Sequence, residues 1–211
     1  MRGLYLVTDR GLCGNRSLED VAHQALVGGA VCIQLREKDA STRFFVDEAR
    51  KMKALTERFH VPLIINDRID VALASGADGI HIGQDDMPYA EARRLMGPDA
   101  IIGLSVETWD DVVGAEALDV DYLGVSPIFE TPTKTDTGEN WGFAGLARIK
   151  AYSRHTLVAI GGMNAATARE AVMAGADAIA VVSAICAASD PLSVSREINE
   201  IIQVALKKRV A

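Results

Sequence analysis

The sequence predicts a (β/α)8 TIM barrel, on three observations: eight short apolar runs at intervals along the chain, helical stretches between them, and an internal echo almost half a chain apart. The runs lie at 4–7, 31–35, 63–65, 79–82, 101–104, 122–125, 157–160 and 179–182. They are rich in β-branched and other apolar residues and lack long polar alternation, as expected of strands that helices cover on the outside. Between them, 18–27, 43–58, 90–95, 165–174 and 193–207 carry helical patterning, several opened by a capping Ser, Thr or Asn. The echo is Gly76-Ala77-Asp78 ahead of the fourth run and Gly175-Ala176-Asp177 ahead of the eighth. Gly-Ala-Asp also makes a good helix-to-strand turn, with glycine in the left-handed position, so it fixes the register of those two strands as well as suggesting related halves. The structural alternative is a doubly wound open sheet.

With 211 residues, 49% of them hydrophobic and 24% charged, the chain has core enough for one domain, and no change of composition splits the span 1–211. No apolar run nears the roughly 18 residues a membrane span needs. The start, Met1-Arg2-Gly3-Leu4-Tyr5-Leu6, meets Asp9 and Arg10 too soon for a signal peptide, so a cytoplasmic location is expected. Cys13, Cys32 and Cys186 are odd in number and widely separated, which disfavours a disulfide framework or a cysteine zinc site. A net charge of −7 without a basic stripe argues against a nucleic-acid surface, so an anionic ligand must be held by local donors. Small molecules are the expected partners, and there is room for a homo-oligomer.

In such barrels ligands sit at the carboxyl ends of the strands. The second run ends Gln34-Leu35-Arg36-Glu37-Lys38, and period-two geometry puts Gln34, Arg36 and Lys38 on one face if the strand continues. Two cations pointing one way call for a phosphate or diphosphate; the structural alternative is a surface network with Glu37 or Asp39. The third run ends Asn66-Asp67-Arg68 and the fourth leads into Gly83-Gln84-Asp85-Asp86. Hard carboxylate oxygens on neighbouring strands suit Mg2+, with Asp67 and Asp86 as ligands; Asp85 is an alternative, as is simple helix capping ahead of Met87-Pro88. Ile160-Gly161-Gly162-Met163-Asn164 and Val182-Ser183-Ala184 follow the seventh and eighth runs, where this barrel class builds a phosphate cup from backbone amides. Thr131-Pro132-Thr133-Lys134 adds hydroxyls and a cation on a long loop. Ser105, at the end of the fifth run, is a hydrogen-bond donor for a ligand. No nucleophile–base signature stands out, and none of the four histidines, His81 included, is assigned a role.

Tyr5-Leu6-Val7-Thr8-Asp9-Arg10, Gln34 to Asp39, Ile64 to Arg68, His81 to Pro88, Thr131 to Lys134 and Ala159 to Gly162, in that order, resemble the thiamine phosphate synthase family over residues 4 to about 186. The resemblance implies a transferase joining hydroxymethylpyrimidine diphosphate to a thiazole phosphate. It places Gln34, Arg36, Lys38, Asn66, Ser105 and Lys134 on the pyrimidine diphosphate and Asp67 and Asp86 on Mg2+. Thr131, Thr133, Gly162, Val182 and Ser183 fall on the thiazole phosphate. It further implies a dissociative mechanism in which diphosphate leaves first and Arg36, Lys38 and Lys134 stabilise the departing charge. Ser126 stands where many members carry glycine, Glu130 where they carry a small residue or proline, and the segment after Lys134 reads as a lid. A thiazole tautomerase on the same barrel and a non-catalytic phosphate-ligand-binding protein are the competing readings.

Overall fold

The computed structural model describes residues 1–130 and 140–210. Eight parallel strands close into a barrel: β1 (Gly3–Val7), β2 (Ala30–Leu35), β3 (Leu63–Asn66), β4 (Gly79–Ile82), β5 (Ile101–Val106), β6 (Tyr122–Val125), β7 (Thr156–Ala159) and β8 (Ala178–Val181). Each pairs with the next, and β1 also pairs with β8, which rules out the open sheet. Around them lie α1 (Leu18–Val27), α2 (Thr42–Arg58), α3 (Ile69–Ser75), α4 (Tyr89–Met96), α5 (Trp109–Ala115), α6 (Gly142–Tyr152), α7 (Ala165–Met173), α8 (Ser183–Cys186) and α9 (Pro191–Val210). The expected runs at 157–160 and 179–182 each lie one residue late, because Ile160 and Val182 are apolar but stand beyond the ladder.

Period two divides every strand between two cores. Leu4, Leu6, Ile33, Leu35, Ile80, Ile82, Leu123 and Val125 point outward into the layer beneath the helices. Tyr5, Val7, Cys32, Ile64, Tyr122, Val158 and Ala180 fill the barrel itself. Each fully buried Leu or Ile contributes about 1.5–3 kcal/mol, so the outer layer is the main stabilising element. Side chains fix where the helices begin: Ser17 accepts from the Asp20 amide, Ser41 from Phe44, and Thr108 and Asn164 make reciprocal capping boxes.

Three aspartates at the amino end set the register. Asp78, Asp121 and Asp177 stand just ahead of β4, β6 and β8. Each donates its amide to the preceding strand and accepts back through its carboxylate, from Leu63 at 2.8 Å, Ile102 at 2.8 Å and Leu157 at 3.1 Å. Each is also matched by a cation: Lys53 at 2.8 Å, Arg93 at 3.1 Å, and Lys150 at 3.0 Å with Arg209 at 2.6 Å. Gly76 and Gly175 precede two of them with φ of 71° and 124°, the positive values expected of the turn.

Candidate functional site

A cavity of about 510 Å3 opens at the carboxyl end of the barrel, and all eight strands send residues to it. Ten of the expected site residues line it: Gln34, Arg36, Lys38, Asn66, Asp67, Asp86, Ser105, Gly162, Val182 and Ser183. Thr131, Thr133 and Lys134 lie outside the described residues. A second, more open depression of about 740 Å3 between α2, α3 and α4 is larger, but the carboxylate of its Asp78 is already paired with Lys53.

The strand does not continue through the cationic segment, since β2 stops at Leu35; the turn beyond it brings Arg36 and Lys38 to the cavity instead. Thr8 Oγ1 anchors that turn by accepting from the Arg36 amide at 3.1 Å. The surface network is real but belongs to Glu37. Arg10 bridges Glu37 and Glu48, each at 2.8 Å, and lies over the Phe44 ring at 4.9 Å. Among the described residues neither Arg36 nor Lys38 pairs with a carboxylate within 4 Å, so both cations are left for a ligand.

Asp67 sits on a strained turn. Its φ is 60°, and across it the Arg68 amide donates to the Asn66 carbonyl at 2.7 Å, while its own amide donates to the His81 carbonyl at 2.8 Å. Asp is among the few residues that tolerate this backbone. The turn sets the Asp67 carboxyl against that of Asp86. Burial, then the hydrogen bond and repulsion from Asp86, push the Asp67 proton affinity up to about 6, with Lys38 and Arg36 pulling the other way. Asp86 is itself held by the Gly83 amide, which donates to its Oδ2 at 2.7 Å, so it caps this turn and not α4, whose N-cap is Pro88. Asp85 is exposed at the cavity rim.

Two abutting carboxylates in the turns that follow the adjacent strands β3 and β4 fit a hard divalent cation. Among the described residues no group of three or more His, Cys, Asp or Glu is placed as a metal cage. A pair of this kind suits Mg2+, which keeps water and substrate phosphate oxygens in its remaining positions, better than a closed zinc-type site.

The opposite chemistry occupies another wall. Gly161 and Gly162 have φ of 97° and 71°, and a Cβ on either would press to 2.9 Å against Pro127 or Phe129. The β7 and β6 loops are tied together there, Ile128 and Phe129 donating to the carbonyls of Ile160 at 2.9 Å and Gly161 at 3.2 Å. Val182 and Ser183 open α8 beside this pair, and the first amides of that turn have no intrahelical acceptor. The wall is neutral, built of amides and a hydroxyl. Ser126 is buried at the cavity edge and its carbonyl accepts from Trp141 Nε1 at 3.2 Å; Glu130 is exposed.

Tyr5 and Tyr122 also reach the cavity, from its floor, hydrogen-bonded to each other at 2.9 Å. Neither stood out in the sequence, where both read as core. The available signal was glycine inside strands, at Gly103 and Gly124, which marks close approach of a neighbour. A Cβ on Gly103 would overlap the Tyr122 ring, and one on Gly124 would come within 2.8 Å of His81.

Comparison with known proteins places the chain. A family model described as thiamine monophosphate synthase matches residues 4–185. The chain is similar to a thiamine-phosphate synthase of Albidiferax ferrireducens, 53% identical over 94% of this chain and 91% of that one. It is 51% identical to one of Leptospira biflexa, over 90% of this chain and 93% of the relative. Among solved structures, a thiamine phosphate pyrophosphorylase from Pyrococcus furiosus superposes with a TM-score of 0.89 at 37% identity, covering 97% of this chain and 96% of that one.

Proposed function

The chain belongs to the thiamine monophosphate synthase family and is a transferase of thiamine phosphate synthesis, and we propose that it joins hydroxymethylpyrimidine diphosphate to thiazole phosphate, or its carboxylated form, with release of diphosphate. The observation that carries this reading is the division of one cavity into a cationic, carboxylate-bearing wall and a neutral amide wall. A diphosphate needs the first and a monophosphate is served by the second.

Gln34, Asn66 and Ser105 orient the pyrimidine, and Arg36 and Lys38, with Lys134 from outside the described residues, hold its diphosphate. Asp67 and Asp86 would hold Mg2+, which when bound supplies further positive charge to the leaving-group oxygens. The carbon–oxygen bond breaks with its electron pair going to the diphosphate, and the aminopyrimidine ring stabilises the cation left behind. The thiazole nitrogen then attacks with its own lone pair. Gly162, Val182 and Ser183, with Thr131 and Thr133, fix the thiazole through its phosphate so that the nitrogen faces the cation. What these residues contribute is preorganised charge and position, and no strong base is required. Small molecules are the partners in this reading, in the cytoplasm; among the described residues no helix is long and apolar enough to cross a membrane.

The test is a chromatographic assay of the purified protein with both substrates, with and without Mg2+. Mg2+-dependent formation of thiamine phosphate and diphosphate is expected. Tight thiazole phosphate binding with no product would replace the transfer reaction with a tautomerase or a binding protein.

A further inference from the structure

Five polar side chains cross the barrel floor in one unbroken line. Gln34 Nε2 donates to the Tyr5 hydroxyl at 2.8 Å, and the Tyr5 and Tyr122 hydroxyls lie 2.9 Å apart. The Tyr122 hydroxyl is 3.0 Å from His81 Nδ1, and His81 Nε2 is 2.9 Å from Ser105 Oγ. The middle members are held rigidly. The His81 ring stacks on Tyr122 with 20° between planes, Tyr5 meets Tyr122 edge to face, and Gly103 and Gly124 leave room for the pair.

A hydroxyl has one proton but can accept twice, so in a line where every proton is donated the bonds all run one way. With Gln34 donating to Tyr5, Tyr5 donates to Tyr122 and Tyr122 donates to Nδ1 of His81. The imidazole proton then resides on Nε2 and is donated to Ser105, whose own proton is directed toward the cavity. Gln34 presents its carbonyl oxygen there. The two ends are therefore opposite in character, an acceptor at Gln34 and a donor at Ser105, and neither can invert unless every bond between them inverts. Burial holds both phenols well above the ordinary tyrosine range, so the protons the line depends on stay in place.

We propose that Tyr5, Tyr122 and His81 act as a positioning relay that locks the polarity of Gln34 to that of Ser105 and thereby makes the cavity select an aminopyrimidine over its oxo counterpart, resting on the placement of the pyrimidine at these two residues. An aminopyrimidine edge carries an amine donor beside a ring-nitrogen acceptor, which complements the acceptor at Gln34 and the donor at Ser105. The oxo compound carries the reverse, a carbonyl acceptor beside an N–H donor. It fits only if the glutamine amide turns over, both phenol protons reverse and His81 changes tautomer. A site that hydrogen-bonds a polar edge rejects the mismatched analogue strongly, because its own buried groups are left unpaired.

Calorimetric binding of the amino and oxo pyrimidine diphosphates, which needs no turnover, tests the relay in wild type, Tyr5→Phe and Tyr122→Phe. Wild type is expected to prefer the amino compound by at least about tenfold. Either variant should bring the ratio within about threefold by weakening the amino compound alone. A merely structural loss would weaken both ligands together and leave the ratio unchanged, and that result overturns the proposal, as does a wild type without preference. If one variant does not fold, the double Tyr5→Phe/Tyr122→Phe removes both partners of the central bond and leaves neither hydroxyl unpaired. Nitrogen NMR, with the His81 signals assigned by their loss in His81→Asn, should show the Nε2–H tautomer in wild type; the Nδ1–H tautomer would reverse the line and sink the selectivity argument. Absence of turnover in wild type with selective binding intact would refute the transferase reading and leave the relay standing.

Discussion

The two ends of this barrel use the same residue types for opposite purposes. At the amino end Asp78, Asp121 and Asp177 each accept from a strand amide and from at least one cation, and the chain satisfies its own charges. At the carboxyl end Asp67 and Asp86 face each other, Asp67 on a strained turn, while Arg36 and Lys38 lack a carboxylate partner among the described residues. Charge that is neutralised internally stabilises the fold; charge left facing charge is held for something that arrives. The difference teaches where to look for function in a barrel whose ends are otherwise built alike.

The largest effect that would break this comparison lies at the carboxyl end. Arg36→Ala is expected to lower kcat/KM on the order of a hundredfold or more with the thermal midpoint nearly unchanged, because in the proposed reaction the cation stabilises a departing diphosphate, and it pairs with no carboxylate of the fold among the described residues. Activity within threefold of wild type would remove Arg36 from the site. At the other end the split reverses. Asp177→Ala leaves Lys150 and Arg209 without their carboxylate and an amide of Leu157 without its acceptor, and should cost about 2–4 kcal/mol in chemical denaturation. Turnover per folded molecule should stay the same; a loss of turnover with intact stability would erase the distinction between the ends. Smaller again, Asp67→Ala should raise the Mg2+ concentration for half-maximal activity about tenfold. An unchanged titration would take Asp67 out of the proposed metal site.

How much of this was legible in the sequence follows from which interactions are local. The strands were readable because each carries apolar side chains on both faces, and β4 and β6 were placed at their observed bounds. Helix α8 was not named in advance, since four residues give no periodicity, and the short α3 and α5, of seven residues each, offer little more. Asp121 belongs with Asp78 and Asp177, but its run reads Asp119-Val120-Asp121 without the Gly-Ala prefix, so only two of the three were seen as an echo. At the site, the expected residues that the structure describes all line the cavity, because strand ends and the loops after them converge there by position alone. The Tyr5 and Tyr122 pair was missed because 117 residues separate two phenols in apolar strands, and only the closed barrel brings their hydroxyls together. The condition that β2 continue through Lys38 is not met, yet the residues it would align still share one cavity, since the turn that follows the strand delivers the same cations there.

The finest test of the contrast is the sign of its pH dependence in metal-free buffer. The folded protein raises the affinity of Asp67 for a proton to about 6, above its ordinary 3.8, so between those values the folded state binds more protons than the unfolded chain. Stability from this pair is therefore present at low pH and falls as pH rises through 6. Asp67→Asn removes the repulsion, so it should melt about 2 °C above wild type at pH 8, and the advantage should vanish as pH drops toward 4. Asp177 runs the other way. Hydrogen bonds from Leu157 and Lys150, with Arg209, hold it below the usual range despite burial, so its contribution is full above 3.8 and is lost only as pH falls through its lowered value. Asp177→Asn should thus be less stable than wild type across neutral pH and approach it only in acid. Melting curves for both variants from pH 4 to 8 would separate the ends by sign alone. If Asp67→Asn melted below wild type at pH 8, the paired carboxylates would be a structural hydrogen bond like those at the amino end, and the two ends would no longer differ in kind.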